Sequence, residues 1–443
     1  FYVLFHTFDF MDKYINFLHD LGFDRTKLNS LAIENKFIER IRKLDGLDYL
    51  LALLHNVTKE VVSFNTMAST FVDDIDKCVT KQALHKAMSK EFFIVFIDKI
   101  FNELLQTKLG IANSKLKSKF RRIVIQDSSI IKLPQRLYEF FSGVKNNFSQ
   151  VANARVQVAL DILTNTFILF SIDSYSINDK SAAHKLQINN GDLIIRDRGY
   201  CTIAEMLRIL AHKADFIYRY YHVFKYYNVN TGKVIDVYKL VKNKKKLKAK
   251  VRIGSPDGVI VTLCADKVSD AIANERRRQL KKSSSGTPSN VLLQLLSWSI
   301  YFTSIDDDEI TSEDIFSLYK LRWRIEIIFK SMKSHLNFDN IHDVSENQLK
   351  FILKGKMMWL LVVTQFIYEV ISKVVFKKTG KAISLLKLVR YLKDNVNVMA
   401  EIMALIKRKI FDASDTIDIL TKYCCYDTRY DRKNHHEQMN DSS

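Results

Sequence analysis

From residue 122 to residue 220 the apolar pattern runs strand, strand, strand, helix, strand, helix, strand, and that order limits the folds open to the chain. Arg122–Leu133 (RIVIQDSSIIKL) is rich in Ile and Val and poor in helix formers, which predicts a strand. Arg155–Leu163 and Phe167–Asp173 are apolar runs joined by Thr164-Asn165-Thr166, the pattern of a hairpin. A short helical segment follows over Asp179–Gln187. Asn189-Asn190-Gly191 then breaks the chain before a strand over Asp192–Arg196 (DLIIR). Thr202–Lys213 sets Ile203, Met206, Leu207 and Leu210 on one helical face, and Phe216–Tyr220 is a further strand. Three leading strands with a hairpin, followed by alternation, is the order of an RNase H-like core. The order restricts topology without naming a function.

The flanks read differently. Residues 1 to about 115 are expected to be helical, with helices around Leu50–Val57, Val61–Lys77 and Thr80–Phe92. The last sets Ala83, Leu84, Ala87, Met88 and Phe92 at helical spacing; a helix-turn-helix and an ordinary helical pair fit it equally. Residues 221–300 hold short strand-like runs, among them Lys233–Val241 and Val259–Leu263, and read as a β-rich insertion. A long helix is expected over Ser312–His335, capped by Thr311 or Ser312, with Glu313 and Asp314 in its first turn. Further helices are expected over Leu349–Val375 and Ser384–Val396, and a disordered polar tail after about Asp427. The fold class is thus α/β: an RNase H-like catalytic core, a mixed five-stranded sheet with helices, carrying a β-rich insertion and flanked by helical N- and C-terminal regions. The expected division is 1–115, 116–220 (core, first part), 221–300 (insertion), 301–375 (core, second part) and 376–443.

The chain is long enough, at 443 residues with 47% hydrophobic residues, to bury sizeable cores. Its net charge of +19 favours a polyanionic partner through phosphate neutralisation. The insertion concentrates this charge in two clusters. Lys242, Lys244, Lys245, Lys246, Lys248, Lys250 and Arg252 form one; Arg276, Arg277, Arg278, Lys281 and Lys282, expected on a helix, form the other. One such cluster alone reads as a solvated loop; two in so basic a chain favour DNA. The five cysteines form no CxxC pair and no zinc spacing, which suits a reducing cytoplasm. Two apolar stretches, Val291–Ile305 and Met357–Ile371, carry polar breaks and read as core elements, so no membrane partner is expected. No leader pattern is seen, and the first residue is Phe, which leaves the natural start open.

Three carboxylates carry the chemistry. Asp127 interrupts the first strand, where a carboxylate is costly unless it is paired or binds a metal. Asp197 ends the DLIIR strand; taken alone, Asp127 reads as a salt-bridge partner and Asp197 as a turn cap. In an RNase H-like sheet those two strands are neighbours, so the two side chains converge, able to hold Mg²⁺ or Mn²⁺ through oxygen ligands. On the long helix, Tyr319, Arg322, Glu326 and Lys333 stand at offsets of 0, 3, 7 and 14 residues. At about 100° per residue they share an arc of roughly 60° beside an apolar face made by Leu318, Leu321, Ile325, Ile328 and Met332. Glu326 can complete a three-carboxylate site, Arg322 and Lys333 can hold phosphates to either side, and Tyr319 can bond a phosphate or pack on a sugar or base.

Tyr, two residues, Arg, three residues, Glu, six residues, Lys resembles the signature of the IS4 group of bacterial DDE transposases. The segments QDSSIIKLP and IIRDRGY are similar to that group's blocks around its two aspartates, and YKLRWRIEIIFKSMK is similar to the corresponding helix of the Tn5 transposase. The resemblance covers about residues 120–340, with three blocks in the right order. It implies metal-dependent cleavage at transposon inverted-repeat ends and strand transfer into target DNA, through a hairpin intermediate and two Mg²⁺ or Mn²⁺ ions. It also implies that Trp298 stacks on a flipped base, although a buried core Trp in an apolar strand fits the residue equally, that the basic insertion (Lys244, Lys245, Lys246, Arg276, Arg277, Arg278) contacts DNA, and that the N-terminal helices recognise the repeats. A homodimer in the DNA complex, formed through C-terminal helices, and a bacterial, nucleoid-associated cytoplasmic location are implied likewise. The rival readings are an RNase H-like nuclease without strand transfer and an inactive or domesticated DNA-binding derivative.

Overall fold

The structure, a computed structural model, describes residues 15–426 apart from residues 17, 74–76, 107–118, 144–149, 285, 308, 410 and 412–414. The polar tail expected after Asp427 lies outside the described residues. Among these residues the strands form one sheet. In chain order they are β1 (Arg122–Leu133), β2 (Ala152–Asp161), β3 (Thr166–Ser174), β4 (Asp192–Arg196), β5 (Asp215–Arg219), β6 (Tyr226–Asn228), β7 (Val234–Ile235), β8 (Lys246–Ile253), β9 (Val259–Lys267) and β10 (Trp298–Thr303). Across the sheet they lie in the order β3-β2-β1-β4-β5-β10-β9-β8-β6-β7.

The first five strands of that order make the RNase H-like core. β2 runs antiparallel to β1 and β3 antiparallel to β2, whereas β4 is parallel to β1 and β5 to β4. β4 and β5 are covered on both faces, so they are short apolar runs without alternation. The β2–β3 turn places Asn165 at φ 50°, a left-handed conformation that Asn tolerates better than most residues. On one face Ile123, Ile125, Leu193, Ile195 and Ile217 join the larger core with the terminal helices. On the other, Val124, Ile194, Phe216 and Phe302 pack with Met206 and Ile209 of the helix Ile203–Ala211, which links β4 to β5.

The insertion does not stand apart from this core. β10 pairs with both β5 and β9, so β6 to β9 continue the same sheet outward. The strand expected over Lys233–Val241 is instead the two-residue β7 and a short helix, Val237–Val241. Asp236 accepts bonds from the Tyr238 and Lys239 amides and starts that helix, overriding the β-branched composition. The apolar stretch at 291–305 likewise divides, into the helix Asn290–Leu295 and β10.

The N-terminal helices are Arg25–Glu34, Gly46–Asn56, Phe64–Asp73, Lys81–Met88 and Glu91–Gln106. The face expected to run from Ala83 to Phe92 stops at Met88: Ser89 ends that helix, a second begins at Glu91, and Phe92 is exposed. The helix Gly46–Asn56 lies between two close approaches. A Cβ on Gly46 would meet the Leu28 carbonyl at 2.6 Å, and one on Gly355 would meet Val57 at 2.7 Å. Gly355 belongs to Glu346–Leu361, which a π-helical stretch, Val362–Tyr368, joins to Glu369–Thr379. By length and composition alone this run is, among the described residues, long and apolar enough to cross a membrane; 61% of its most apolar window is buried inside the protein.

Candidate active site

Asp127 and Asp197 are brought together by strand register. β1 and β4 are parallel and their pairing ends with Gln126 opposite Arg196, so Asp127 and Asp197 each come one residue past the last pair, on adjacent strands. Alternation then fixes their face. Asp127 follows Ile125 by two residues and Asp197 follows Ile195, and both isoleucines belong to the larger core. Beyond Arg196 strand β4 ends, Asp197 stays extended (φ −78°, ψ 168°), and a single 3₁₀ turn follows over Arg198–Tyr200.

The third carboxylate arrives on a helix that is not continuous. The expected helix over Ser312–His335 is two, Ser312–Lys320 and Trp323–Leu336. Between them the amides of Leu321, Arg322, Arg324 and Ile325 bond three residues back, to Leu318, Tyr319, Leu321 and Arg322. Three residues per turn set Tyr319 and Arg322 one directly above the other, a tighter stack than 100° per residue gives. The apolar pattern crosses this tightening without a break, so the sequence does not show it.

Arg322 is the hub. Its guanidinium donates to Asp127 Oδ2 at 2.7 Å, is ion-paired with Glu326, and lies 5.9 Å from the centre of the Tyr319 ring. Tyr319 reaches Asp197 at 3.5 Å through its hydroxyl and packs on Tyr301 of β10, ring centres 4.6 Å apart. Burial, with Asp197 and Glu326 near, pushes the Asp127 carboxyl up to about 6 against the pull of Arg322. Among the described residues no three His, Cys, Asp or Glu side chains crowd one point closely enough to share an ion. The acids instead surround a guanidinium. Oxygen-only donors with so much negative charge suit a hard divalent cation, and here Arg322 supplies the positive charge.

A family profile described as a transposase DDE domain matches residues 118–361, more than half of the chain. The chain belongs to the DDE transposases. Similar proteins include the transposase of insertion sequence IS231F from Bacillus thuringiensis subsp. israelensis, 23% identical over 83% of each chain. The IS231B transposase of B. thuringiensis subsp. berliner is 23% identical over 92% of this chain and 90% of its own. That of IS1151 from Clostridium perfringens is 26% identical over 85% of each. A solved piggyBac transposase synaptic complex with hairpin DNA aligns with a TM-score of 0.40 and 11% identity, covering 91% of this chain and 82% of that one. The expected DDE transposase of the IS4 group is borne out, and enzymes of this kind act on DNA with divalent metal ions.

The remaining expected residues of this transposase are placed unevenly. Lys333 lies on the site's rim, its ammonium donating to the Ile130 carbonyl at 2.7 Å, where β1 runs on past the end of β4. Trp298 is a core residue: it is 8% exposed, its indole N–H bonds the Lys244 carbonyl at 3.1 Å, and Tyr238 packs on its edge. Lys244, Lys245 and Lys246 are all exposed, and Lys246 is ion-paired with Glu313. Arg276 and Arg277 turn inward. Arg276 donates to the Leu296 and Trp298 carbonyls and to Ser299, and Arg277 to the Leu293 carbonyl, Asn274 and Ser297. They satisfy carbonyls freed where the short helix before β10 ends. Arg278 points outward beside Glu275.

Sequence reasoning missed Arg219. β5 pairs with β4 through Tyr218 and Arg196, so Arg219 continues the row begun by Asp127 and Asp197, and Tyr301 lies opposite it on β10. It follows core residue Ile217 by two and so faces the same side. Nothing in the segment DFIYR marks it, because its place in that row comes from register with strands distant in the chain.

Proposed function

We propose that this transposase cleaves DNA at the inverted-repeat ends of a mobile element and joins the freed 3′ ends to target DNA, using two Mg²⁺ or Mn²⁺ ions held by Asp127, Asp197 and Glu326. The observation carrying this reading is that Arg322 touches both Asp127 and Glu326 while Asp197 stands beside Asp127 in register. Bound ions would supply activation of a water and stabilisation of the leaving 3′ oxygen.

The protein's own groups do the rest. Asp127 and Asp197 present oxygens from rigid strands, and Glu326 from a packed helix, which limits reorganisation during reaction. With Asp127 and Glu326 neutralised, Arg322 would be free to bond a phosphate of the DNA end. Lys333 and Arg219 hold the backbone to either side, and Tyr319 buttresses the sugar-phosphate. The exposed Lys244, Lys245 and Arg278 extend this track outward. Trp298 stacks on a flipped base only if DNA draws it from the core. A homodimer assembles on the ends, and cleavage passes through a hairpin, in a bacterial cytoplasm.

The test is incubation of the purified protein with linear duplexes ending in the repeats that flank its gene, with Mn²⁺ or EDTA. Ion-dependent nicking at the ends and joining of precut ends to plasmid are expected, both lost in Asp127→Ala. Binding without nicking would overturn the reading in favour of a non-catalytic DNA-binding derivative; nicking without joining would favour a nuclease.

A further inference from the structure

A fourth carboxylate lies behind the two aspartates, on the reverse face of the sheet. Asp179 Oδ1 accepts from Ser128 Oγ at 2.6 Å, from Arg155 Nη1 at 3.1 Å and from Gln157 Nε2 at 3.1 Å. Arg155 also donates to Ser128 Oγ, and its guanidinium lies 5.0 Å from the Tyr175 ring centre. Tyr200 donates to Gln157 Oε1 at 2.6 Å. The other oxygen of Asp179 abuts Gly199: a Cβ there would meet Oδ2 at 3.0 Å.

These contacts fall in a telling place. β4 ends at Arg196, so from Asp127 onward β1 keeps β2 as its neighbour and loses β4. Asp179 closes that gap. It binds Ser128, the residue after Asp127, and touches Gly199, two residues after Asp197. Ser128 joins both sides, because its amide donates to Asp127 Oδ1 at 2.8 Å while its hydroxyl donates to Asp179. The pair Arg155–Asp179 is mostly buried, which makes the arrangement stiff rather than a passing surface contact.

We propose that Asp179 is a positioning residue that sets the spacing of Asp127 and Asp197 from behind, and thereby tunes divalent-ion affinity. This rests on the metal-site reading above. Partners one shell removed from metal ligands act in this way, their loss typically costing about 10–100-fold in metal affinity.

The test is Mn²⁺ binding by the full chain without DNA, followed as free Mn²⁺ by electron paramagnetic resonance, with thermal unfolding of the ion-free protein and DNA binding in EDTA alongside. Asp179→Ala is expected to raise the Mn²⁺ concentration for half-saturation about tenfold or more, with DNA affinity in EDTA kept within about twofold. Gly199→Ala keeps every hydrogen-bonding group and only presses on Oδ2, so it gives the same signature if Asp179→Ala folds poorly. Lowered melting of both variants with unchanged Mn²⁺ half-saturation would overturn the proposal in favour of a purely structural network. Asp127→Asn separates the two readings. If it binds Mn²⁺ as the parent does, the metal site itself is wrong; if it loses the ions while both other variants keep them, only the role of Asp179 falls.

Discussion

Asp127 is a destabilising residue in the ion-free protein. Burial pushes its carboxyl up to about 6 in the fold, from the ordinary aspartate value of 3.8. Between those values the folded state holds more protons than the unfolded one, so stability falls as pH climbs from about 4 to about 6 and stays lowered above that. Asp127→Asn is therefore expected to raise ion-free stability at pH 8 by about 1–3 kcal/mol and to gain little at pH 4, while cleavage is abolished. Thermal unfolding at both pH values checks this. Arg322→Met has the opposite sign. It leaves Asp127 and Glu326 facing each other without a cation, and a loss of roughly 1–3 kcal/mol at pH 8 is expected, recovered by saturating Mn²⁺. Arg219→Ala is expected to weaken binding of end DNA about tenfold in EDTA without moving Mn²⁺ half-saturation, read by fluorescence anisotropy, as for loss of one charged phosphate contact.

At the scale of elements, the segments legible in the sequence were those where composition and breakers agreed. The Ile- and Val-rich runs gave β1 and β4 to the residue: Pro134 stops β1, and Asn189-Asn190-Gly191 sets the start of β4. Asp127 and Glu326 stood out in the sequence because a charge inside an apolar strand, and one beside Arg on an amphipathic helix, both need a partner; that partner is Arg322. The tightening at Leu321–Arg322 was not, since apolar residues at 3.6 and 3.0 per turn read alike over so short a stretch. Nor was the inward turn of Arg276 and Arg277, which answers to carbonyls about twenty residues on. Asp179 and Arg219 were invisible for a similar reason: their partners come from other strands. The packing of Gly46–Asn56 against Glu346–Leu361 depends on an absent side chain. Gly355→Val is expected to cost roughly 1–3 kcal/mol in urea unfolding, because Val57 and Leu53 leave no room for it.

For the whole molecule, charge sets the terms of encounter with DNA. With a net charge of +19 and exposed lysines near β8, binding is expected to be steeply salt-dependent. A protein making six to ten phosphate contacts loses about 10³–10⁵ in affinity between 50 and 200 mM salt, and a drop of at least about 100-fold is expected here. A flat response across that range would show that the charge is not spent on phosphates.

The placing of β10 between β5 and β9 also has a cost in time. Thr303 bonds the Phe216 carbonyl across 87 residues of chain, and Arg322 meets Asp127 across 195. A ribosome delivering this polypeptide presents the bare flank of β5, with its apolar Phe216 and Ile217, long before the strand that covers it has been made. Unpaired flanks of that kind invite neighbours, and distant pairings form slowly. Recovery from denaturant should accordingly be sluggish, and its yield should fall as protein concentration rises.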